Sequence, residues 1–383
     1  MAYDVDKVRA HFPALREGAA HFDGPGGSQV PDVVAEAVAA TLTSAVANRG
    51  SVTAAERRAE DIVVTARRTM AEFLNADTIV FGRSMTQLTY DTARTLARDW
   101  RPGDEVVVTR LDHDANVRPW VQTAQSVGAT VRWATFDPTT GVLPVDAITG
   151  QLSDRTRLVA VTAASNLLGT RPDVPAIAVA AHDAGALVYL DAVHHTAHVE
   201  VDQAALGVDF LACSPYKFLG PHLGVLAADR ALLETLRPDK LLPATDVVPE
   251  RFELGTLPYE LLAGTTAAVR FLRGLGMAEI ERHETTLRDR LEEGLRALGV
   301  TVHGSPTRPR TPTVLFTVPG RAPAEVHRAL AAENVNAPAG NFYAVECSRV
   351  LGLGDAGAVR AGIAPYTDES DVDRLLAGVA RLR

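Results

Sequence analysis

From residue 79 to residue 227 short apolar, β-branched runs alternate with alanine-rich stretches of helical character, and this alternation limits the fold more than any other feature of the chain. The runs cover residues 79–81, 105–109, 130–133, 158–162, 186–190, 210–212 and 224–227. Strands separated by helices imply βαβ units and a mainly parallel sheet covered on both faces, hence an α/β domain. Residues 174–184 suit a crossover helix, with Pro175 in the first turn, where its missing N–H costs little. Beyond about Pro258 the pattern changes. Helices are expected over 261–275, 277–298, 322–333 and 369–383, with short strands at 301–303 and 313–317. The expected organisation is a large domain over 22–258 and a smaller α+β domain formed by 1–21 together with 259–383.

Two of the apolar runs end on residues able to do chemistry. Asp191 closes the run at 186–190, and Lys217 follows the run at 210–212. A parallel sheet presents its chemistry at such carboxyl ends. A lysine and an aspartate delivered in this way are what pyridoxal phosphate requires. The amine condenses with the aldehyde, and the carboxylate keeps the pyridine nitrogen protonated so that the ring withdraws electrons.

Further motifs flank this pair. Ser84-Met85-Thr86 lies between a strand and a helix, where free N–H groups attract an anion. Asp112-His113-Asp114-Ala115-Asn116 follows the run at 105–109, Ser165-Asn166 follows that at 158–162, and His194 stands three residues after Asp191. Arg251-Phe252-Glu253-Leu254-Gly255-Thr256 and Val359-Arg360-Ala361-Gly362 complete the series.

With these motifs in this order the chain resembles, nearly end to end, the class V aminotransferase group of fold-type I pyridoxal phosphate enzymes, and within it the cysteine desulfurase-like branch. The resemblance implies the fold of that group, a large mainly parallel mixed-sheet domain with a smaller α+β C-terminal domain. It also implies roles. Met85 (backbone only), Thr86, Ser214 and Tyr216 would hold the cofactor phosphate. His113 would stack on the ring, and Asn166 and His194 would contact the phenolic oxygen. Arg360 would clamp the substrate carboxylate, for which a planar guanidinium suits, and Gly26 would lie near the substrate. Thr256 would reach the phosphate of a neighbouring subunit, so a homodimer is expected.

In one place the chain departs from this pattern. Where desulfurases carry the sulfur-accepting cysteine, in Ala339-Gly340-Asn341-Phe342-Tyr343, this chain has Tyr343, and Cys347 follows four residues later. The expected reaction is therefore C–S cleavage of cysteine or an S-substituted cysteine by β-elimination. Alternatives are an aminotransferase, an isopenicillin N epimerase-like epimerase, a desulfurase using Cys347, or a cofactor-binding protein without turnover. Residues 48–52, Trp120 and Phe342 are candidates for the pocket wall.

Composition excludes other classes. A net charge of −9 with no basic block argues against a nucleic-acid partner. The only cysteines, Cys213 and Cys347, give no disulfide framework, and no apolar run approaches the ~20 residues of a membrane span. With no secretory leader pattern at the N-terminus, a cytoplasmic location is expected. The cluster of Asp191, His194, His195 and His198 is expected to hold no metal, because adjacent histidines at a strand end face opposite sides.

Overall fold

The structure is a computed structural model that describes residues 3–304 and 309–383. Its strands follow the apolar runs: β1 (Ala20–His21), β2 (Thr78–Gly82), β3 (Glu105–Thr109), β4 (Thr130–Ala134), β5 (Thr156–Thr162), β6 (Leu187–Asp191), β7 (Phe210–Cys213), β8 (Gly224–Ala228), β9 (Thr301–His303), β10 (Thr313–Thr317), β11 (Val335–Asn336), β12 (Ala339–Gly340) and β13 (Ala358–Gly362). Seven of them form the central sheet in the order β2-β8-β7-β6-β5-β3-β4. Five neighbouring strands, β7 to β4 in that order, are parallel, and β8 runs antiparallel to both β7 and β2. The protein is an α/β fold with a mixed, mostly parallel sheet, as the alternation requires.

The sheet is dry because both faces are covered. All five residues of β3 are buried, whereas β4 at the edge is exposed at alternate positions. One face packs in the largest core with Met70, Phe73 and Phe218, and the other with Trp120, Tyr189 and Phe210. Two helices preceding β2, Asp32–Leu42 and Ala54–Leu74, were not among the expected elements. The second nonetheless carries a start signal: Thr53 and Glu56 form a reciprocal capping box. Both pack against the helix Tyr259–Leu275.

A second, antiparallel sheet, β12-β13-β10-β9, builds the C-terminal part. The N-terminal segment joins it: β1 pairs with β11, Ala20 opposite Val335, and Asp23 bridges to Gly362 at the end of β13. This route lays Gly24–Gly26 beside the C-terminal end of β13. Gly362 permits the contact, since a Cβ there would stand 2.1 Å from the Pro25 ring. Among the described residues no helix is long and apolar enough to cross a membrane.

The register of the central strands sets the site. Thr162 lies opposite Asp191, and Asp191 opposite Ala212, so the loops leaving β5, β6 and β7 start from one line. On the far side Gly82 pairs with Gly224, whose Cβ, were there one, would meet the Ser84 carbonyl carbon at 2.2 Å. That backbone cannot yield without moving the turn at Ser84–Met85. Gly224→Ala is expected to cost about 1–3 kcal/mol, the usual penalty for overpacking, and to weaken cofactor binding. Denaturant midpoints and a cofactor titration check this; an unchanged affinity would show that the turn does not hold the cofactor.

Candidate active site

One cavity of about 560 Å³ opens at the carboxyl ends of the parallel strands. Its lining includes Gly26, Met85, Thr86, His113, Asn166, Asp191, His194, Ser214, Tyr216, Lys217, Tyr343 and Arg360. Twelve of the thirteen site residues expected from the sequence are thus brought together from segments spread over more than 300 positions. The thirteenth, Thr256, lies exposed outside this cavity. Its segment is anchored at Glu253, which takes two hydrogen bonds from Arg67 at 2.6 and 2.8 Å and one from the Phe81 amide at 2.8 Å.

Lys217 ends a short 3-10 turn, Pro215–Lys217, after β7. Its Nζ donates to the Pro25 carbonyl at 2.6 Å and sits 4.6 Å from the centre of the Tyr216 ring. Burial, then the charge of Arg360, lower its pKa to about 7, while Asp191 opposes the shift. The amine is therefore close to half neutral at physiological pH. Asp191, at the end of β6, accepts from the Val193 amide at 2.9 Å. Burial raises its pKa to about 6, against the pull of that hydrogen bond and of Lys217.

Arg360 is buried in β13, with Nη2 beside Gly26. Its Nη1 donates to the Asn166 carbonyl at 2.9 Å, and its guanidinium lies 3.8 Å from the Phe342 ring centre. Its Nε is buried without a partner. Burial lowers the pKa to about 9, so the group stays charged. Phe342 and Tyr343 both adopt positive φ, 51° and 60°, a conformation that costs non-glycine residues about 1–2 kcal/mol each. Hydrogen bonds restrain the turn: the Asn341 carboxamide accepts from Tyr343 N at 3.1 Å, and the Tyr343 carbonyl accepts from Asp114 N at 2.7 Å. Phe342 forms part of the cavity wall as expected, and Tyr343 stands at the mouth, 72% exposed.

Several expected side chains are engaged differently. Asn166 gives an amide hydrogen to the Phe342 carbonyl at 3.0 Å, and its Oδ1 is buried without a partner. His194 has Nε2 within 2.8 Å of Thr313 Oγ1 and 3.0 Å of Thr311 Oγ1, which leaves only Nδ1 for a ligand. The Met85 side chain turns into the core, so only its backbone can serve an anion. Trp120 is not a wall residue: its indole N–H donates to Asn116 Oδ1 at 3.1 Å and its rings pack edge-on against Tyr189 in the core. Residues 48–52 are not wall residues either, because Arg49 is drawn to Glu60 at 2.8 Å and Glu250 at 3.2 Å. His198 pairs with buried Glu284 at 2.9 Å.

Two features escaped the sequence reading. One is the Pro25 carbonyl, which no side-chain motif advertises. The other is Asp112, fully buried beneath His113, which accepts from Thr109 Oγ1 and, at 2.7 Å, from Asn116 Nδ2. Burial raises its pKa to about 8. Asp112, Asn116 and Trp120 recur every four residues and form one hydrogen-bonded chain, a spacing visible in the sequence.

The chain matches the family model for aminotransferase class V over residues 20–375. An aminotransferase-like protein of Gibberella zeae is 32% identical, over 99% of this chain and 98% of its own. A cysteine desulfurase of Klebsiella pneumoniae subsp. pneumoniae is 31% identical, over 100% and 99% respectively. Among solved structures, the apo cysteine desulfurase from Thermococcus onnurineus NA1 superposes with a TM-score of 0.94 at 28% identity, covering 100% of this chain and 99% of that one.

Cys213 and Cys347 are both fully buried, line no part of the cavity, and have thiols whose pKa burial pushes far up. Neither is expected to react with a thiol-specific disulfide reagent at neutral pH in the native protein, and both should react after unfolding. Fast native reaction of one thiol, abolished by Cys347→Ser, would put that sulfur within reach of the cavity.

Proposed function

The chain belongs to the aminotransferase class V family, in the cysteine desulfurase-like branch of pyridoxal phosphate enzymes, and from that premise we propose that it cleaves the C–S bond of cysteine or an S-substituted cysteine by β-elimination. The residues of the cavity fit the cofactor. Asn166 Oδ1 and Arg360 Nε are buried polar atoms that lack partners, and Asp191 is a buried carboxylate without a cationic hydrogen-bond partner. Asp191 suits the ring nitrogen, while Thr86, Ser214 and the first amides of the helix Met85–Leu96 suit a phosphate. His113 suits the ring face, and Lys217 the aldehyde. When bound, the cofactor supplies a ring that stabilises negative charge on the carbon beside the substrate's amino group.

The protein's own groups divide the remaining work. Arg360 binds the substrate carboxylate with a guanidinium whose orientation the Phe342 ring and the Asn166 carbonyl fix. Lys217, about half neutral near pH 7, removes the proton from Cα. One observation carries the choice of elimination: neither cysteine reaches the cavity, and exposed Tyr343 occupies its mouth. With no thiolate to accept sulfur, the Cβ–S bond breaks with its electron pair on sulfur, which leaves as thiol or sulfide. For cysteine the balance is cysteine plus water to pyruvate, ammonia and hydrogen sulfide.

Thr256, exposed outside its own chain's cavity, is proposed to serve the cavity of a second copy in a homodimer. The two unpaired thiols agree with a reducing compartment such as the cytoplasm.

Mass spectrometry of products from L-cysteine and from an S-alkyl cysteine tests the reaction. Pyruvate with sulfide or thiol is expected, and Lys217→Ala should abolish it while still binding cofactor noncovalently. Alanine as product would overturn elimination in favour of desulfuration, and a keto acid retaining its sulfur would indicate transamination. The dimer is tested by sedimentation together with Thr256→Ala. That variant should weaken cofactor affinity about ten-fold, the loss of one hydrogen bond to a charged group. A monomer with unchanged affinity in the variant would rule out the exchange.

A further inference from the structure

An imidazole takes up a proton only through a ring nitrogen whose lone pair is free. In His113 the Nδ1 lone pair is engaged, since the Ala115 amide donates to it at 3.0 Å while His113 caps the 3-10 turn Asp114–Asn116. The donor is backbone and cannot swing away. The turn is fixed from beneath by Asn116, tied to Asp112 at 2.7 Å and to Trp120 at 3.1 Å, and from the side by Asp114 N donating to the Tyr343 carbonyl at 2.7 Å. An N–H directed at Nδ1 leaves the ring proton on Nε2. Charging the ring would set a second N–H against that of Ala115.

The surroundings act in the same direction. Lys217 and Arg360 both oppose a positive charge on His113; Asp114 favours it but is ion-paired with Arg118 at 3.0 Å. The neighbouring Tyr343 ring lies 5.6 Å away. Burial and the two cations together lower the His113 pKa to about 4. Apart from Lys217, the other titratable groups on the cavity wall are engaged elsewhere: Asp114 is paired with Arg118, and Asp191 accepts from the Val193 amide and is assigned to the ring nitrogen. His194 Nε2 is shared between two threonine hydroxyls, and burial raises the pKa of the Tyr216 phenol.

We infer that His113 is a fixed-tautomer hydrogen-bond donor rather than a proton acceptor, so that the cavity has a single base, Lys217, and proton exchange at the substrate Cα occurs on one face. The Cα–H bond breaks, the proton passes to the Lys217 amine, the electron pair stays with the substrate, and return of the proton reverses the step at the same face. Epimerisation, which needs the proton lifted from one face and returned to the other, is thereby excluded. The inference rests on the proposed proton removal by Lys217 but not on the fate of sulfur.

Two measurements test it. The first uses the cofactor-free protein labelled with nitrogen-15 at histidine, with the His113 signals assigned by loss in His113→Gln. Long-range proton–nitrogen correlation should show the Nε2–H tautomer, neutral down to about pH 5; an Nδ1–H tautomer, or a midpoint at the ordinary value of about 6.5, would overturn the assignment. The second incubates holoenzyme with L-alanine, which has no leaving group, in deuterium oxide. Deuterium should enter Cα with the L configuration retained. D-alanine formed at a comparable rate would refute the single base. Absence of any exchange would refute proton removal by Lys217 itself, while product analysis with cysteine separately reads the fate of sulfur.

Discussion

Two largely buried cations, Lys217 and Arg360, face one cavity, and most of the surrounding arrangement compensates for having them there. Removing an ammonium and a guanidinium from water costs several kcal/mol each unless charge and hydrogen bonds are returned to them. Lys217 receives the Pro25 carbonyl, the face of Tyr216 and the field of Asp191. Arg360 receives the Asn166 carbonyl and the Phe342 ring, a contact worth about 0.5–2 kcal/mol. Neither is fully satisfied. The consequence is chemical: the ammonium gives up its proton near neutrality, and the guanidinium keeps an unpaired N–H for an incoming carboxylate.

The compensation crosses the boundary between the two sheets. Lys217 belongs to the loop after β7, but the carbonyl that receives it comes from the N-terminal segment bridged to β13. Arg360 belongs to β13, but its carbonyl partner follows β5. The turn at Phe342–Tyr343 makes a third link, holding left-handed backbone with hydrogen bonds to the loops after β3 and β5. Strain of this kind persists only where the surroundings fix it, and it collects at functional sites. Here it sets one aromatic ring on the guanidinium and another beside His113.

Much of this was legible in the chain. Apolar runs located the seven central strands to within a few residues, because a strand buried on both faces tolerates little else. The residues at strand ends identified Lys217, Asp191, His113 and Asn166, because loops leaving the carboxyl ends of parallel strands converge whatever their sequence separation. The helices over 32–42 and 54–74 were not anticipated, although the second has a capping box and buries one face at helical spacing; what no local pattern announces is their shared packing partner, the helix over 259–275. Trp120 was misplaced for a related reason. An aromatic residue near a catalytic loop suits the core as well as the cavity, and the hydrogen bond to Asn116 turned it inward.

The sequence by itself determined the α/β architecture, the family, the cofactor and nearly the whole set of side chains that meet at the cavity, since these follow from residue type and order. The protonation of those side chains was decided only in the folded chain. The Lys217 pKa, the tautomer of His113, the orientation of Arg360 and the isolation of Cys347 all depend on which carbonyls, amides and charges lie within a few ångströms. Those neighbours come from segments hundreds of residues apart, and electrostatic and hydrogen-bond energies fall off with distance in space, not with distance along the chain.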